Sequence, residues 1–333
     1  MNQHRALITV SVALLMALAL IGPASPQAAL ASSPQIALGG SVAVADSQSL
    51  AAFDDYTAKV GRAPALWTLW SRWGGGDGPF PSDFVNSLLA HSPGTVPMIY
   101  WEPVGTDQSD CAHWALSNII RGDYDEYIRT WATAARDYGG RVIVRFAEEM
   151  NGYWYIWGNN RCTNTPAKFR RAWRHVWNIF RGPNGVGANN VAFLWSVYGR
   201  HRVLENYPGS AYVDYTGLTA FNWAQRGHPS WRTMVRTFNP AMYYLLPLGK
   251  PIIVAEMGAG YNPNCAWCDK PAYITQGYPA VYAKWSSKIA ALVYFNLDMR
   301  DVGQPDFRLD SPPQALTAYQ QIVADPRFQG TIP

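Results

Sequence analysis

The sequence predicts a (β/α)8 barrel built as one large domain, and three observations lead there. Eight short apolar runs are spaced along the chain, most are followed by an amphipathic stretch, and no glycine-rich phosphate turn follows the first run. The third observation counts against the main competitor, a doubly wound sheet that carries such a turn after its first strand. The first run, 36–38, leads to a helix-like stretch at 49–60, and the second, 66–69, to one at 81–90. The third, 96–100, precedes 124–138, and the fourth, 142–146, precedes 166–180. The fifth, 191–195, gives way directly to the sixth, 216–221, which leads to 231–246. The seventh, 252–255, precedes 273–285, and the eighth, 289–295, precedes 313–324. Gly74-Gly75-Gly76 lacks a following Lys-Ser or Lys-Thr and reads as a loop rather than a phosphate cradle.

Residues 2–5 are polar and basic, 6–21 are apolar, and Ala29-Leu30-Ala31 offers a small-residue cleavage site before Ser32. Residues 1–31 are therefore expected to be a signal peptide and 32–333 the barrel domain of a secreted, extracellular protein. The apolar run is short for a membrane span and is followed by Pro23 and Pro26, which argues against a retained anchor. About 300 residues remain, enough for a complete barrel.

With 48% hydrophobic residues, 15 Trp and 19 Tyr, the chain can bury a large core and still line a groove with aromatic rings. A net charge of +4 with scattered arginines excludes nucleic acid as the expected partner. Four cysteines in an exported chain point to disulfides, with Cys111 to Cys162 and Cys265 to Cys268 as the preferred pairing. Zinc would need a second pair of ligands near the C-x-x-C, and a redox role would need a thioredoxin-like surround. The sequence supplies neither, so no metal or cofactor is expected.

The chemistry concentrates after the fourth run. Val142-Ile-Val-Arg-Phe146 is followed by Glu148 and Glu149 and then by Tyr153, Trp154, Tyr155 and Trp157. Cleaving a glycosidic bond needs a carboxylic acid to protonate the leaving oxygen, and sugar rings stack on Trp and Tyr. A second carboxylate, Glu256, ends the seventh run in Lys250-Pro-Ile-Ile-Val-Ala-Glu256. Strands four and seven lie on nearly opposite sides of an eight-stranded ring, so their C-terminal ends can face one sugar from two sides.

These segments resemble glycoside hydrolase family 26. Arg145 through Gly158 is similar to its R-x-x-H-E-M-N-G-x-W-Y-x-W-G signature, and Lys250 through Gly258 to its K-P-x-x-I-A-E-x-G segment. Trp101-Glu102-Pro103, Tyr124 through Tyr127, Ala172 through Val176, Trp195-Ser196, Tyr207 through Gly209 and Tyr212 through Asp214 follow in the family's order. The resemblance covers the chain from about residue 49 to the end. It implies a retaining endo-β-glycanase, with β-1,4-mannan as the first substrate and mixed-linkage β-glucan or β-1,3-xylan as alternatives. Glu149 would be the acid/base and Glu256 the nucleophile.

Three positions depart from the family pattern. Glu148 stands where the family has His, which puts an extra acid beside Glu149. Thr219 and Phe221 stand where the family has Asp and Tyr, and Phe221 lacks the hydroxyl that would hydrogen-bond the nucleophile. Asn222 is the candidate replacement donor. The expected sugar platforms are Trp101, Trp154, Tyr155, Trp157, Trp223 and Tyr294, with about half of them core, and Trp70 and Trp73 as a further groove wall. Arg145 is placed at the same site, touching substrate or ion-paired with a carboxylate, and Asn151 either binds a sugar hydroxyl or ties its loop. The expected partner is a β-linked polysaccharide and the expected state a monomer. A non-catalytic carbohydrate-binding protein or an extracellular scaffold would use the same barrel without two convergent acids.

Overall fold

A computed structural model describes residues 33–74, 78–224 and 231–332. The expected signal peptide and Gly75 and Gly76 of the glycine run lie outside these residues. Eight parallel strands close into a barrel in sequence order: β1 Ala37–Ser41, β2 Leu66–Gly74, β3 Val96–Gly105, β4 Val142–Phe146, β5 Val191–Tyr198, β6 Tyr215–Asn222, β7 Ile252–Ala259 and β8 Ile289–Phe295. Nine helices surround it among the described residues: α1 Leu50–Val60, α2 Ser82–His91, α3 Cys111–Trp114, α4 Leu116–Arg121, α5 Asp125–Tyr138, α6 Pro166–Arg181, α7 Met234–Leu245, α8 Lys270–Trp285 and α9 Pro313–Ala324. All eight expected strands form. Between β5 and β6 the chain makes only 3-10 turns, at Leu204–Asn206 and Ser210–Tyr212.

Local chemistry sets the helix ends. Ser49 caps α1 by accepting from the Ala52 N–H, and Gly61 ends it at φ 94°, a conformation that costs glycine little. Thr165 caps α6, and Pro166 sits at its first position, where a missing N–H costs nothing. Helix α8 begins three residues earlier than the sequence suggested because Asp269 caps it by accepting from Ala272 N–H. Helix α7 begins three residues later, after the Thr233 cap.

Strand parity sorts side chains into two cores. Met98, Tyr100, Ile143, Leu194, Ile253, Ala255, Ala291 and Val293 fill the inside of the barrel. Their alternating neighbours Ile99, Trp101, Val144, Phe146, Val254, Leu292 and Tyr294 pack outward beneath the helices. Trp101 lies against Trp131 of α5 at 4.6 Å and Phe180 of α6 at 5.7 Å between ring centroids. Burying an aromatic side chain of this size contributes about 3 kcal/mol.

The two disulfides pair as expected, Cys111 with Cys162 and Cys265 with Cys268. The first ties the start of α3 to the loop between β4 and α6. Both missed helices, α3 and α4, lie in the long β3–α5 connection that this bond anchors.

Candidate active site

The C-terminal strand ends carry the polar side chains, as the barrel's geometry demands of a reactive site. Arg145 comes from the inward parity of β4 and is fully buried. Its guanidinium lies 4.4 Å from the Tyr100 ring centroid, Nε donates to Ser196 Oγ at 2.7 Å, and Nη2 donates to Thr219 Oγ1 at 2.7 Å. The same group reaches both candidate carboxylates, with Nη2 3.8 Å from Glu149 Oε1 and Nη1 3.4 Å from Glu256 Oε1. Burial opposes the charge on Arg145, but the acidic groups around it, Glu256 foremost, more than reverse this and hold it protonated.

Glu256 sits at a break in register. Leu218 pairs with Val254 but Thr219 pairs with Glu256, so β7 carries one extra residue here. The bulge brings Glu256 opposite Thr219, whose hydroxyl donates to Glu256 Oε2 at 3.2 Å. Glu149 lies just past β4, where Ala147 at φ 45° and Glu149 at φ 51° turn the backbone through left-handed conformations. Such conformations are unfavourable for non-glycine residues and persist where the surroundings enforce them. Here the Glu149 N–H is held by Ser196 O at 3.1 Å and the Ala147 N–H by Trp101 O at 3.3 Å. The Trp154 indole N–H donates to Glu149 Oε2 at 2.8 Å.

Both carboxylates line one cavity of about 380 Å³ together with Trp70, Trp154, Tyr155, Tyr198, Phe221 and Trp223, closed on the β8 side by Phe295, Met299 and Gln304. Burial, and then the negative charge of Glu256, push the Glu149 carboxyl up to about 7, against Arg145, Thr219 and Trp154, which favour its ionised form. Glu149 thus keeps its proton at mildly acid pH, while Glu256 accepts a hydroxyl proton and faces Arg145. A second cavity, about 440 Å³, lies between α7 and α8 and contains neither glutamate.

Several expected site residues are elsewhere. Trp101 and Tyr294 occupy outward strand parity and face helices, Tyr294 meeting Tyr319 of α9 at 5.5 Å, so neither is a sugar platform. Trp157 is buried beneath the loop, stacked on Tyr155 at 4.4 Å and donating to the Glu148 carbonyl at 2.7 Å. Glycine at 158 permits that fold, since a Cβ there would lie 2.6 Å from Gly152 O. Trp73 packs beneath the site against Trp101 and Phe146 rather than forming groove wall.

Asn222 does not replace the missing hydroxyl, because its amide is spent on the Arg232 backbone, donating at 2.8 Å and accepting at 3.1 Å. Thr219 donates to Glu256 instead, and Phe221 becomes cavity lining. Asn151 ties its loop to β5, donating to Tyr198 O and His201 O and accepting from the Tyr198 N–H. Glu148 is buried and outside the cavity lining. The residues missed from sequence are Tyr198, Phe295, Met299 and Gln304. Tyr198 had a usable signal, an aromatic just past a strand; the last two sit in the loop after β8, where spacing says nothing.

The glycosyl hydrolase family 26 profile matches residues 107–281, a span that contains both Glu149 and Glu256. Endoglucanase H of Acetivibrio thermocellus is 31% identical over 239 residues, 69% of this chain, and the chain spans about a quarter (24%) of that relative's length. A mannan endo-1,4-β-mannosidase of Bacillus subtilis is 26% identical over 171 residues, 47% of this chain and 42% of its own. Among solved structures, a β-mannanase from Bacteroides ovatus superimposes with TM-score 0.64 at 17% identity, covering 90% of this chain and 91% of that one. An endo-β-1,4-mannanase from Cellulomonas fimi gives 0.65 at 18% identity over 89% of this chain and 72% of that one. At such identities the structures share the fold.

Proposed function

The chain belongs to glycosyl hydrolase family 26, and from that premise we propose that it is a secreted, endo-acting retaining β-glycanase. The observation that carries the reading is a pair of carboxylates on one cavity and one guanidinium, with burial holding the proton on Glu149 up to about pH 7. Glu256 attacks the anomeric carbon as a carboxylate while Glu149 passes its proton to the leaving glycosidic oxygen, giving a covalent glycosyl ester. Water then attacks the same carbon, loses its proton to Glu149, and releases the sugar with Glu256 free. Arg145 and the Thr219 hydroxyl hold the Glu256 carboxylate in place, and Trp154 orients the acid.

The mannanase relatives and the stacking surfaces of Trp154, Tyr155 and Trp223 support β-1,4-mannan as the substrate. A mixed-linkage or other β-glucan is the second reading, favoured by a relative named an endoglucanase. The leader-like residues 2–31 and the two disulfides support export, and the chemistry requires neither metal nor cofactor. Reducing-end release from β-mannan, mixed-linkage β-glucan, β-1,3-xylan and cellulose tests the proposal. Release from one polymer, abolished in Glu149→Ala and Glu256→Ala, supports it; binding without release from any of them contradicts it.

A further inference from the structure

Glu148 is a buried acid that the mechanism above does not use. It is 1% exposed, and among the described residues no N–H or O–H donor reaches either of its carboxylate oxygens. The neighbouring indole does not serve it, since Trp157 donates to the Glu148 main-chain carbonyl. An ionised carboxylate accepts only, so in that state Glu148 would be a dry charge without donors, which is among the costliest arrangements in a protein. A carboxylic acid can also donate, and an acceptor stands beside it.

That acceptor is Glu102 at the end of β3, 4% exposed and absent from the cavity lining. The Ala147 N–H to Trp101 O hydrogen bond continues the Trp101–Phe146 register past the end of β4, so Glu102 comes beside Ala147, one residue before Glu148, and the two acids act on each other electrostatically. Arg72 of β2, paired in register with Glu102, donates from Nε to Glu102 Oε2 at 2.9 Å. The charged and titratable groups around Glu148 are Glu102 and Tyr100 on β3, Arg145 on β4, Glu149 and Tyr155 on its own loop, and Glu256 on β7. Burial raises both Glu148 and Glu102, more at Glu148, while Arg72 opposes the rise at Glu102. With a proton on Glu148, Arg72 faces the Glu102 carboxyl and Arg145 is left to Glu149 and Glu256.

We propose that Glu148 is a positioning residue for the acid/base: a neutral carboxylic acid that donates to ionised, Arg72-paired Glu102 and so locks the strained turn carrying Glu149. Its neutrality leaves Arg145 to the two carboxylates that face the cavity. The sharing of one proton within a carboxyl pair is a recognised way for two acids to coexist without solvent. The left-handed residues on either side of Glu148 need such a lock, because nothing intrinsic to Ala147 or Glu149 favours that backbone.

The inference rests on the proposed hydrolase mechanism for its consequence, but its chemical core can be read without substrate. Infrared difference titration of the whole unliganded protein should show a protonated-carboxyl carbonyl band that disappears in Glu148→Gln, survives in Glu149→Gln, and persists above the pH at which the Glu149 band is lost. With substrate, Glu148→Gln should keep the alkaline limb of kcat in place with kcat lowered less than about tenfold, and Glu148→Leu should lower kcat about a hundredfold with KM little changed. Absence of the Glu148 band overturns the proposal, as does an acid shift of the limb by about one unit in Glu148→Gln, the sign of a lost negative neighbour. A kcat in Glu148→Leu equal to wild type also overturns it. Should Glu148→Leu not fold, the Gln variant and the infrared bands still decide. A wild-type protein inactive on every polymer would remove the hydrolase reading and leave the infrared result standing.

Discussion

Two pairs of buried glutamates crown the same barrel, with one member of each adjacent in sequence at 148 and 149, and they differ in what they face. Glu149 and Glu256 line a cavity of about 380 Å³ and share Arg145. Glu102 and Glu148 lie outside that lining, with Arg72 on one of them. Residue type is identical across all four, so the roles come from surroundings: a void large enough for a sugar in one case, a closed contact between strand ends in the other. The difference also explains how adjacent residues 148 and 149 diverge, since the turn at φ 45° and 51° sends their side chains to separate neighbours.

The comparison can be broken most decisively by removing charge from each pair in turn. Glu256→Ala should lower kcat/KM by at least about 10⁴-fold, and Glu149→Ala by about 10²–10⁴-fold, less with activated leaving groups that need no proton. Steady-state kinetics on a polymer and on an aryl glycoside measures both, and a Glu148→Gln loss of equal size would erase the distinction between the pairs. Next in size, Thr219→Val removes the hydroxyl shared by Arg145 and Glu256. A charge-assisted hydrogen bond of roughly 1.5–3 kcal/mol corresponds to about 10–100-fold in kcat, with substrate binding little altered.

Smaller effects sharpen the account through pH. Wild-type activity should fall as pH rises through about 7, where Glu149 loses its proton. Trp154→Phe deletes a donor that favours ionised Glu149, so the limb should move to higher pH, as a pH–kcat profile would show. The same group affects stability. Its folded pKa lies above the unfolded value, so its favourable contribution is complete below the unfolded pKa and is lost as pH rises through about 7. Glu149→Gln should therefore stabilise the fold by about 1–3 kcal/mol at pH 8 and change little at pH 4, as thermal unfolding at the two pH values would show.

Much of this was legible in the sequence, and the limits have physical causes. The apolar runs located every strand, but β2, β3, β5 and β7 each extend three to five residues beyond the run. In β2, β3 and β7 the extensions hold Arg72, Glu102 and Glu256, polar side chains that break an apolar pattern because they serve a site. Strand parity was equally readable, and applying it would have sent Trp101 and Tyr294 to the helix side, in phase with Ile99 and Leu292. What sequence could not supply was the β7 bulge, a shift of one residue that brings Thr219 rather than Ala220 opposite Glu256. Nor could it reveal that Trp154 is both half-exposed at the cavity and bonded to the acid, since that depends on the closure of the loop between Gly152 and Gly158.

The central claim is that Glu149 and Glu256 work as acid/base and nucleophile on one anomeric carbon. Azide supplied to Glu149→Ala with an activated aryl β-glycoside of the sugar that the wild type cleaves, followed by NMR of the product, tests it most directly. The account predicts restored turnover and a β-glycosyl azide, formed by attack on the ester to Glu256 with no acid/base needed. A wild-type rate in Glu149→Ala without azide, or an α-glycosyl azide as the product, would contradict it.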